Sequence, residues 1–183
     1  MDHLDHRILS ALRVYGCDPR VAGAARALSW AGEHGALWLA AGLAGAAVDG
    51  ARRGAWVRGT ALTAGAHLVS MGVKRVVRRP RPAHVEPLVR TAGRHSFPSS
   101  HAASAAAAAV AFGMLATCRG SGSTTAPLAT TATRVALPPL ATAMCLSRLV
   151  VGVHYPSDVA AGAALGALTA CAGARWMTGG ADD

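Results

Sequence analysis

Three short polar stretches hold the residues that could carry out chemistry in this 183-residue chain. The first polar stretch is the basic run of residues 74–82, the second is Pro98-Ser99-Ser100-His101, and the third spans residues 147–158. Each lies at the edge of a segment rich in alanine, glycine, leucine and valine. We therefore expect the apolar segments to form helices that bring the three stretches together.

The third polar stretch contains a histidine and an aspartate four residues apart, His154 and Asp158. An aspartate at this spacing can accept the Nδ1–H of the imidazole, which leaves Nε2 free to act as a nucleophile or base. Pro156 suits the first position of the helix that follows. The alternative is that Asp158 only caps this helix and His154 is an interfacial side chain.

The second polar stretch is predicted to begin a helix. Backbone N–H groups at a helix N-terminus bind anions, and the hydroxyls of Ser99 and Ser100 add further donors. His101 on the same first turn could donate a proton to a leaving oxygen. The alternative is an ordinary serine N-cap with a histidine that takes no part in chemistry.

The first polar stretch supplies positive charge. On a helix, Lys74, Arg78 and Arg81 share one face. Pro80 and Pro82 should end the helix, however, so an extended segment could present Arg81 instead. We interpret Arg75 and Arg79, which point elsewhere, as contacts with lipid headgroups. Fixed cations beside a helix N-terminus and a nucleophilic histidine would suit phosphoryl transfer, in which negative charge spreads over the equatorial oxygens.

The composition favours a membrane protein. Hydrophobic residues make up 52% of the chain and charged residues only 15%, with a mean hydropathy of +0.32, whereas soluble domains carry about 25% charge. The net charge of +9 comes with only 4% aromatic residues, and the arginines sit at the ends of apolar segments. They therefore suit lipid headgroups rather than nucleic acid.

The apolar segments predict an all-α fold, a membrane helix bundle forming one domain over residues 1–183. About five spans are expected, at approximately residues 35–48, 56–77, 99–118, 128–151 and 156–176. Residues 1–31 are predicted to form an amphipathic interfacial region, and residues 119–127 a flexible loop.

With five crossings, the three polar stretches lie on one side of the membrane. The distribution of Lys and Arg favours the cytoplasmic side.

The combined pattern is similar to that of a known family. Lys74 is followed after six residues by Arg81-Pro82, then come Pro98-Ser99-Ser100-His101 and Ser147-Arg148, with His154 and Asp158 beyond. This spacing resembles the three-part signature of the type 2 phosphatidic acid phosphatase superfamily. The superfamily includes lipid phosphate phosphatases and vanadium haloperoxidases. Ser100 is a departure, because the family more often has glycine there.

The resemblance implies a role for each matched residue. His154 would attack phosphorus and form a phosphohistidine, Asp158 would orient it, and His101 would protonate the leaving group and then activate water. The phosphate oxygens would be held by Lys74, Arg81, Ser99, Ser100 and Arg148. Neither a metal nor another cofactor is expected.

Five further residues are candidate substrate contacts: Arg78, Glu33, His67, Arg90 and Arg94. Arg90 and Arg94 belong to the loop between the second and third spans, which we expect to cap the pocket. His67 has an alternative reading as a packed interior histidine. Glu33 could equally contact a headgroup or begin a helix.

The expected function is hydrolysis of a lipid phosphate, with membrane lipids as the other partners and the oligomeric state left open. By resemblance the substrate is a polyprenyl phosphate monoester or diphosphate, for example decaprenylphosphoryl-5-phosphoribose in bacterial cell-wall precursor synthesis. Phosphatidic acid, phosphatidylglycerol phosphate and undecaprenyl diphosphate are alternatives. A non-catalytic membrane scaffold is the alternative of a different class. A soluble vanadium haloperoxidase is disfavoured by the apolar segments.

Overall fold

The computed structural model describes residues 2–91, 93–117 and 126–179, and in these ranges the chain is helical with no strands. The helices are α1 (Asp2–Val14), α2 (Pro19–Ala31), α3 (Ala36–Val48), α4 (Arg53–Val77), α5 (Ser100–Thr117), α6 (Ala126–Val150), α7 (Pro156–Ala172) and α8 (Ala174–Thr178). The all-α prediction is confirmed. The predicted loop at residues 119–127 lies almost entirely outside the described residues.

Helix α5 lies at the centre of the bundle, packed against α4, α6 and α7. Its alanines are small enough to let three neighbouring helices approach it at once. Phe112 and Leu115 are buried in the core towards its C-terminal end, each with 1% of its surface exposed. Six alanines of α5 are fully buried: Ala102, Ala103, Ala105, Ala107, Ala108 and Ala111.

Two glycines bring α7 into contact with the backbone of α5. A Cβ atom at Gly162 would lie 2.3 Å from the carbonyl oxygen of Ser99, and one at Gly166 would lie 2.0 Å from that of Ala103. Small residues four positions apart permit such close approach between helices. The N-terminal turns of α5 and α7, which carry the second and third polar stretches, are therefore held side by side.

The N-terminal helix α1 was predicted to be an interfacial amphipathic helix, and the structure packs it against α6 and α7. Leu9 is fully buried there together with Leu149 and Tyr155. Leu4 and Ile8 on the outer face are exposed. The apolar residues of α1 thus lie on two surfaces of the helix, one packed against the bundle and one facing outward.

The helices α3 to α7 begin and end close to the predicted span boundaries. Among the described residues, however, none of the helices combines the length and the apolar character needed to cross a membrane.

The close approach of α5 and α7 can be tested with a glycine substitution. Gly166→Ala should destabilise the fold by about 1–3 kcal/mol, because the added methyl meets backbone atoms that cannot rotate away. We expect a lower midpoint in a thermal unfolding scan of the purified protein in detergent.

The matched control is Gly113→Ala in α5, where a Cβ would meet no atom within 4 Å. Both substitutions gain the same helix propensity, so the difference between them isolates the packing cost. An unchanged midpoint for Gly166→Ala would contradict the described contact.

Candidate active site

Lys74 joins the first polar stretch to the second. It lies in the last turn of α4, and its buried Nζ donates to the carbonyl oxygens of Ser96 at 3.1 Å and Pro98 at 2.6 Å. The ammonium group is therefore fixed beside the segment that leads into α5.

Arg81 joins the first polar stretch to the third. Its Nη1 donates to the carbonyl oxygen of Val153 at 2.8 Å, and its Nε donates to that of Gly93 at 2.8 Å. Burial lowers the pKa of Arg81, and the carboxylate of Asp158 opposes that effect. The guanidinium is thus held next to His154 by backbone atoms.

Ser99 joins the second polar stretch to the third. Its N–H donates to the carbonyl oxygen of Asp158 at 2.9 Å, while its Oγ accepts from Ala102 N–H at 3.4 Å. The serine N-cap considered in the sequence is therefore present. Capping does not exclude anion binding, because the first-turn N–H groups of a helix lack intrahelical acceptors.

His154 lies in the loop before α7 and faces Asp158, which lies in the first turn of that helix. Gly152, with φ of 77°, makes the turn that leads into this loop. His154 Nδ1 lies 3.6 Å from Asp158 Oδ2, which is longer than a hydrogen bond. The contact is therefore electrostatic in this conformation, and Nδ1 makes no hydrogen bond to any described residue. Asp158 Oδ2 also accepts the Tyr155 N–H at 2.8 Å, so it caps α7 as well.

Burial is the main reason that the pKa of His154 falls to about 3. The neighbouring carboxylate raises the pKa, but the cations Arg148, Lys74 and Arg81 lower it. The imidazole is therefore neutral at ordinary pH, and its lone pair is available for attack on phosphorus. The same three cations place positive charge around the ring.

Arg148 and His101 meet at Ser29 of α2, a residue that the sequence did not single out. Arg148 Nη1 donates to Ser29 Oγ, and His101 Nε2 lies 3.0 Å from the Ser29 carbonyl oxygen. The guanidinium charge of Arg148 acts on the His101 ring. Arg148 Nε is buried without a hydrogen-bond partner in the described part of the chain, so it is open to a ligand. A lone serine between Leu28 and Trp30 was a weak sequence signal.

Arg79 is not a lipid-headgroup contact, contrary to the interpretation from the sequence. Its Nη1 donates to Asp158 Oδ1 at 2.9 Å, and its Nη2 donates to Asp5 Oδ2 at 2.9 Å. The helical wheel misplaced it because α4 ends at Val77. Asp5 was also missed, although an acid one turn before the buried Leu9 indicated a partner inside the fold.

The predicted shared face of Lys74, Arg78 and Arg81 does not form, for the same reason. Arg78 takes up a left-handed conformation with φ of 53° at the C-terminus of α4. Its side chain is exposed, and its Nε donates to the Arg75 carbonyl oxygen at 2.9 Å. Arg75 is also exposed, as expected of a headgroup contact.

His67 lies near His101, and Glu33 lies near Arg148. Glu33 is exposed in a 3-10 turn after α2, and its negative charge attracts the guanidinium of Arg148. The His67 ring centroid lies 6.4 Å from that of His34. Its Nδ1 is buried and has no hydrogen-bond partner among the residues described. This atom is therefore available to a polar group of a ligand.

Arg90 and Arg94 are exposed on the loop that connects α4 and α5. The loop is tied to the third polar stretch, since Leu88 N–H donates to the Val151 carbonyl oxygen at 2.9 Å. Neither arginine has a described contact with His101 or His154. Within the described ranges, no group of three or more His, Cys, Asp or Glu side chains could hold a metal ion.

Comparisons with known proteins place the chain among its relatives. The sequence model of the PAP2 superfamily matches residues 55–180. The chain is 44% identical over 146 residues to a decaprenylphosphoryl-5-phosphoribose phosphatase of Mycolicibacterium smegmatis, covering 79% of this chain and 72% of the relative. A protein of the same name from Mycobacterium tuberculosis is 43% identical over 151 residues, covering 81% and 76%.

A solved structure supports the fold independently. The crystal structure of a transmembrane PAP2 type phosphatidylglycerolphosphate phosphatase from Bacillus subtilis superposes with a TM-score of 0.58 at 20% identity. The superposition covers 94% of this chain and 93% of that one. The family match over residues 55–180 includes all three polar stretches, and the chain belongs to the PAP2 superfamily.

Proposed function

We propose that this protein is a membrane lipid phosphate phosphatase that works through a phosphohistidine on His154. The observation that carries the proposal is a buried, neutral imidazole surrounded by Lys74, Arg81 and Arg148 beside the N-terminus of α5. Three cations and a helix N-terminus match the charge of a transferring phosphoryl group.

In this proposal, hydrolysis proceeds in two steps. In the first, the Nε2 lone pair of His154 forms the N–P bond, the P–O bond to the lipid breaks, and His101 protonates the departing oxygen. In the second, water attacks phosphorus, His101 accepts its proton, and the N–P bond breaks to release phosphate. Asp158 stabilises the positive charge that develops on the imidazole.

We further propose that the protein is embedded in the membrane with its active site towards the cytoplasm. Large apolar side chains are exposed on several of the helices, which supports contact with lipid acyl chains. The most exposed are Val48 at 86%, Val76 at 82% and Trp30 at 81%.

Labelling of Arg90→Cys by an impermeant maleimide in intact cells tests the orientation of the active site. Protection from the reagent is expected, and efficient labelling would contradict it.

The proposed substrate is a polyprenyl phosphosugar of the decaprenylphosphoryl-5-phosphoribose type, hydrolysed during assembly of cell-wall precursors. The names of the mycobacterial relatives support this choice. Glu33 and His67 then provide polar groups for sugar hydroxyls next to the phosphate. Arg78, Arg90 and Arg94 are exposed and would contact anionic parts of the substrate outside the pocket.

A substrate panel tests the proposed function. Purified protein in detergent should release phosphate fastest from a decaprenyl phosphosugar, compared with phosphatidic acid, phosphatidylglycerol phosphate and undecaprenyl diphosphate. His154→Ala should lower kcat by about 10³-fold or more, because the nucleophile is lost. Equal inactivity of wild type and His154→Ala on every lipid would contradict the phosphatase assignment.

The arginines of the first polar stretch supply a matched pair for the same assay. Arg81→Ala should cost roughly 10²- to 10³-fold in kcat, because a fixed cation beside the transferring phosphoryl group is lost. Arg75→Ala removes an exposed charge from the same run and should leave kcat unchanged. Equal losses in the two variants would argue that the run acts only through its total charge.

The proposed contact between His67 and the sugar predicts a change in the selectivity between lipid substrates. His67→Ala should raise KM for the phosphosugar lipid several-fold and leave KM for phosphatidic acid unchanged, since a buried hydrogen bond to a sugar hydroxyl contributes about 1 kcal/mol. The ratio of kcat/KM for the two lipids is the measurement. A parallel loss on both lipids would assign His67 to packing instead.

A further inference from the structure

The guanidinium of Arg79 is held in one orientation by contacts on three sides. Its Nη1 donates to Asp158 Oδ1 at 2.9 Å and to Ser157 Oγ at 2.6 Å. Its Nη2 donates to Asp5 Oδ2 at 2.9 Å. Its face lies over the Tyr155 ring, 4.2 Å from the centroid. A planar fork with both edges and one face occupied cannot rotate without losing several of these contacts.

Asp5, which is distant in the sequence, hydrogen-bonds to Ser157 in the first turn of α7. Its Oδ1 accepts the Ser157 N–H at 3.0 Å, and its Oδ2 accepts the Ser157 hydroxyl as well as Arg79. Asp5 belongs to α1, so the N-terminal helix is bonded directly to the first turn of α7. That turn carries Asp158.

Burial distinguishes these contacts from a surface ion pair. The side chains of Asp158, Asp5 and Arg79 are 0%, 7% and 20% exposed. A buried carboxylate is costly unless it is paired and hydrogen-bonded. Burial raises the pKa of Asp5, but hydrogen bonds from Ser157 and Arg79 outweigh it and lower the pKa overall. Asp5 is therefore ionised, and Arg79 bridges two carboxylates.

The two oxygens of Asp158 consequently have separate tasks. Oδ1 is taken by Arg79, whereas Oδ2 accepts the Tyr155 N–H at 2.8 Å and faces His154 Nδ1. If Arg79 were absent, Oδ1 would lose its charged partner. The carboxylate could then rotate away from the imidazole.

We propose that Arg79 and Asp5 are positioning residues that hold the Asp158 carboxylate against His154, so that the N-terminal helix forms part of the active site. Neither residue touches the phosphate; both act through Asp158. The inference rests on the proposed phosphohistidine chemistry and adds to it a requirement for α1.

The kinetic test compares kcat with KM for a lipid phosphate hydrolysed by the wild type. Arg79→Ala and Asp5→Asn should lower kcat roughly 10- to 100-fold, by analogy with the loss seen when the hydrogen-bonding partner of a metal ligand is removed. KM should stay within about two-fold. The charge-matched controls Arg75→Ala and Glu86→Gln, both at exposed positions, should retain wild-type kcat.

Two further results separate positioning from general stability. Millimolar guanidinium should restore part of the kcat of Arg79→Ala, because it can occupy the site between the two carboxylates, and it should not help His154→Ala. Asp5→Asn added to Arg79→Ala should cause little further loss, since both act through one carboxylate. Wild-type kcat in Arg79→Ala, or a rise in KM with kcat unchanged, would overturn the proposal.

Hydrogen exchange supplies a readout that does not need turnover. In Asp5→Ala, which removes the acceptor, the amide N–H of Ser157, which donates to Asp5 in the wild type, should exchange faster, while amides in the centre of α5 remain protected. Slow exchange at Ser157 in this variant would overturn the network. Wild type inactive on all lipid phosphates, with fast exchange at Ser157 in the variant, would reject the proposed function and retain the link between α1 and α7.

Discussion

The buried carboxylate of Asp158 is the constraint on which the rest of the structure depends. A charge with no exposed surface needs compensation from fixed partners, and those partners come from all three polar stretches. Arg79 extends from the first, the Ser99 N–H of the second binds the Asp158 carbonyl oxygen, and His154 belongs to the third. Because one residue contacts all three, its placement assembles the site.

Close packing of small residues makes this placement available. Gly162 and Gly166 let α7 lie against the backbone of α5, which brings Asp158 within hydrogen-bonding distance of Ser99. The alanines of α5 leave room for α4 and α6 as well, and these helices carry Lys74 and Arg148. The small side chains of the bundle and the high charge density of its site are therefore linked, because bulkier helices would hold these cationic and acidic groups farther apart.

Spacing in the sequence was sufficient to predict the helices, because local periodicity and Pro, Gly and Ser signals determine them. Counting the predicted spans then placed the three polar stretches on one side. The spacing failed for Arg79 and Arg78, since a helical wheel extended through Val77 assigns faces to a segment that is no longer helical. It also failed for Asp5, whose partners are 74 and 152 residues away. Contacts at that separation follow from the packing of α1 on α7, which no local pattern encodes. The roles of the individual site residues remain predictions.

Direct detection of the covalent intermediate tests the central claim. The protein would be mixed with excess lipid phosphate, quenched in alkali, where phosphohistidine is stable, and digested for mass spectrometry. The account predicts one phosphate on the peptide that contains His154, formed before the steady state and absent from His154→Ala. Rapid hydrolysis with no phosphate on His154, or with the phosphate on another side chain, would contradict it.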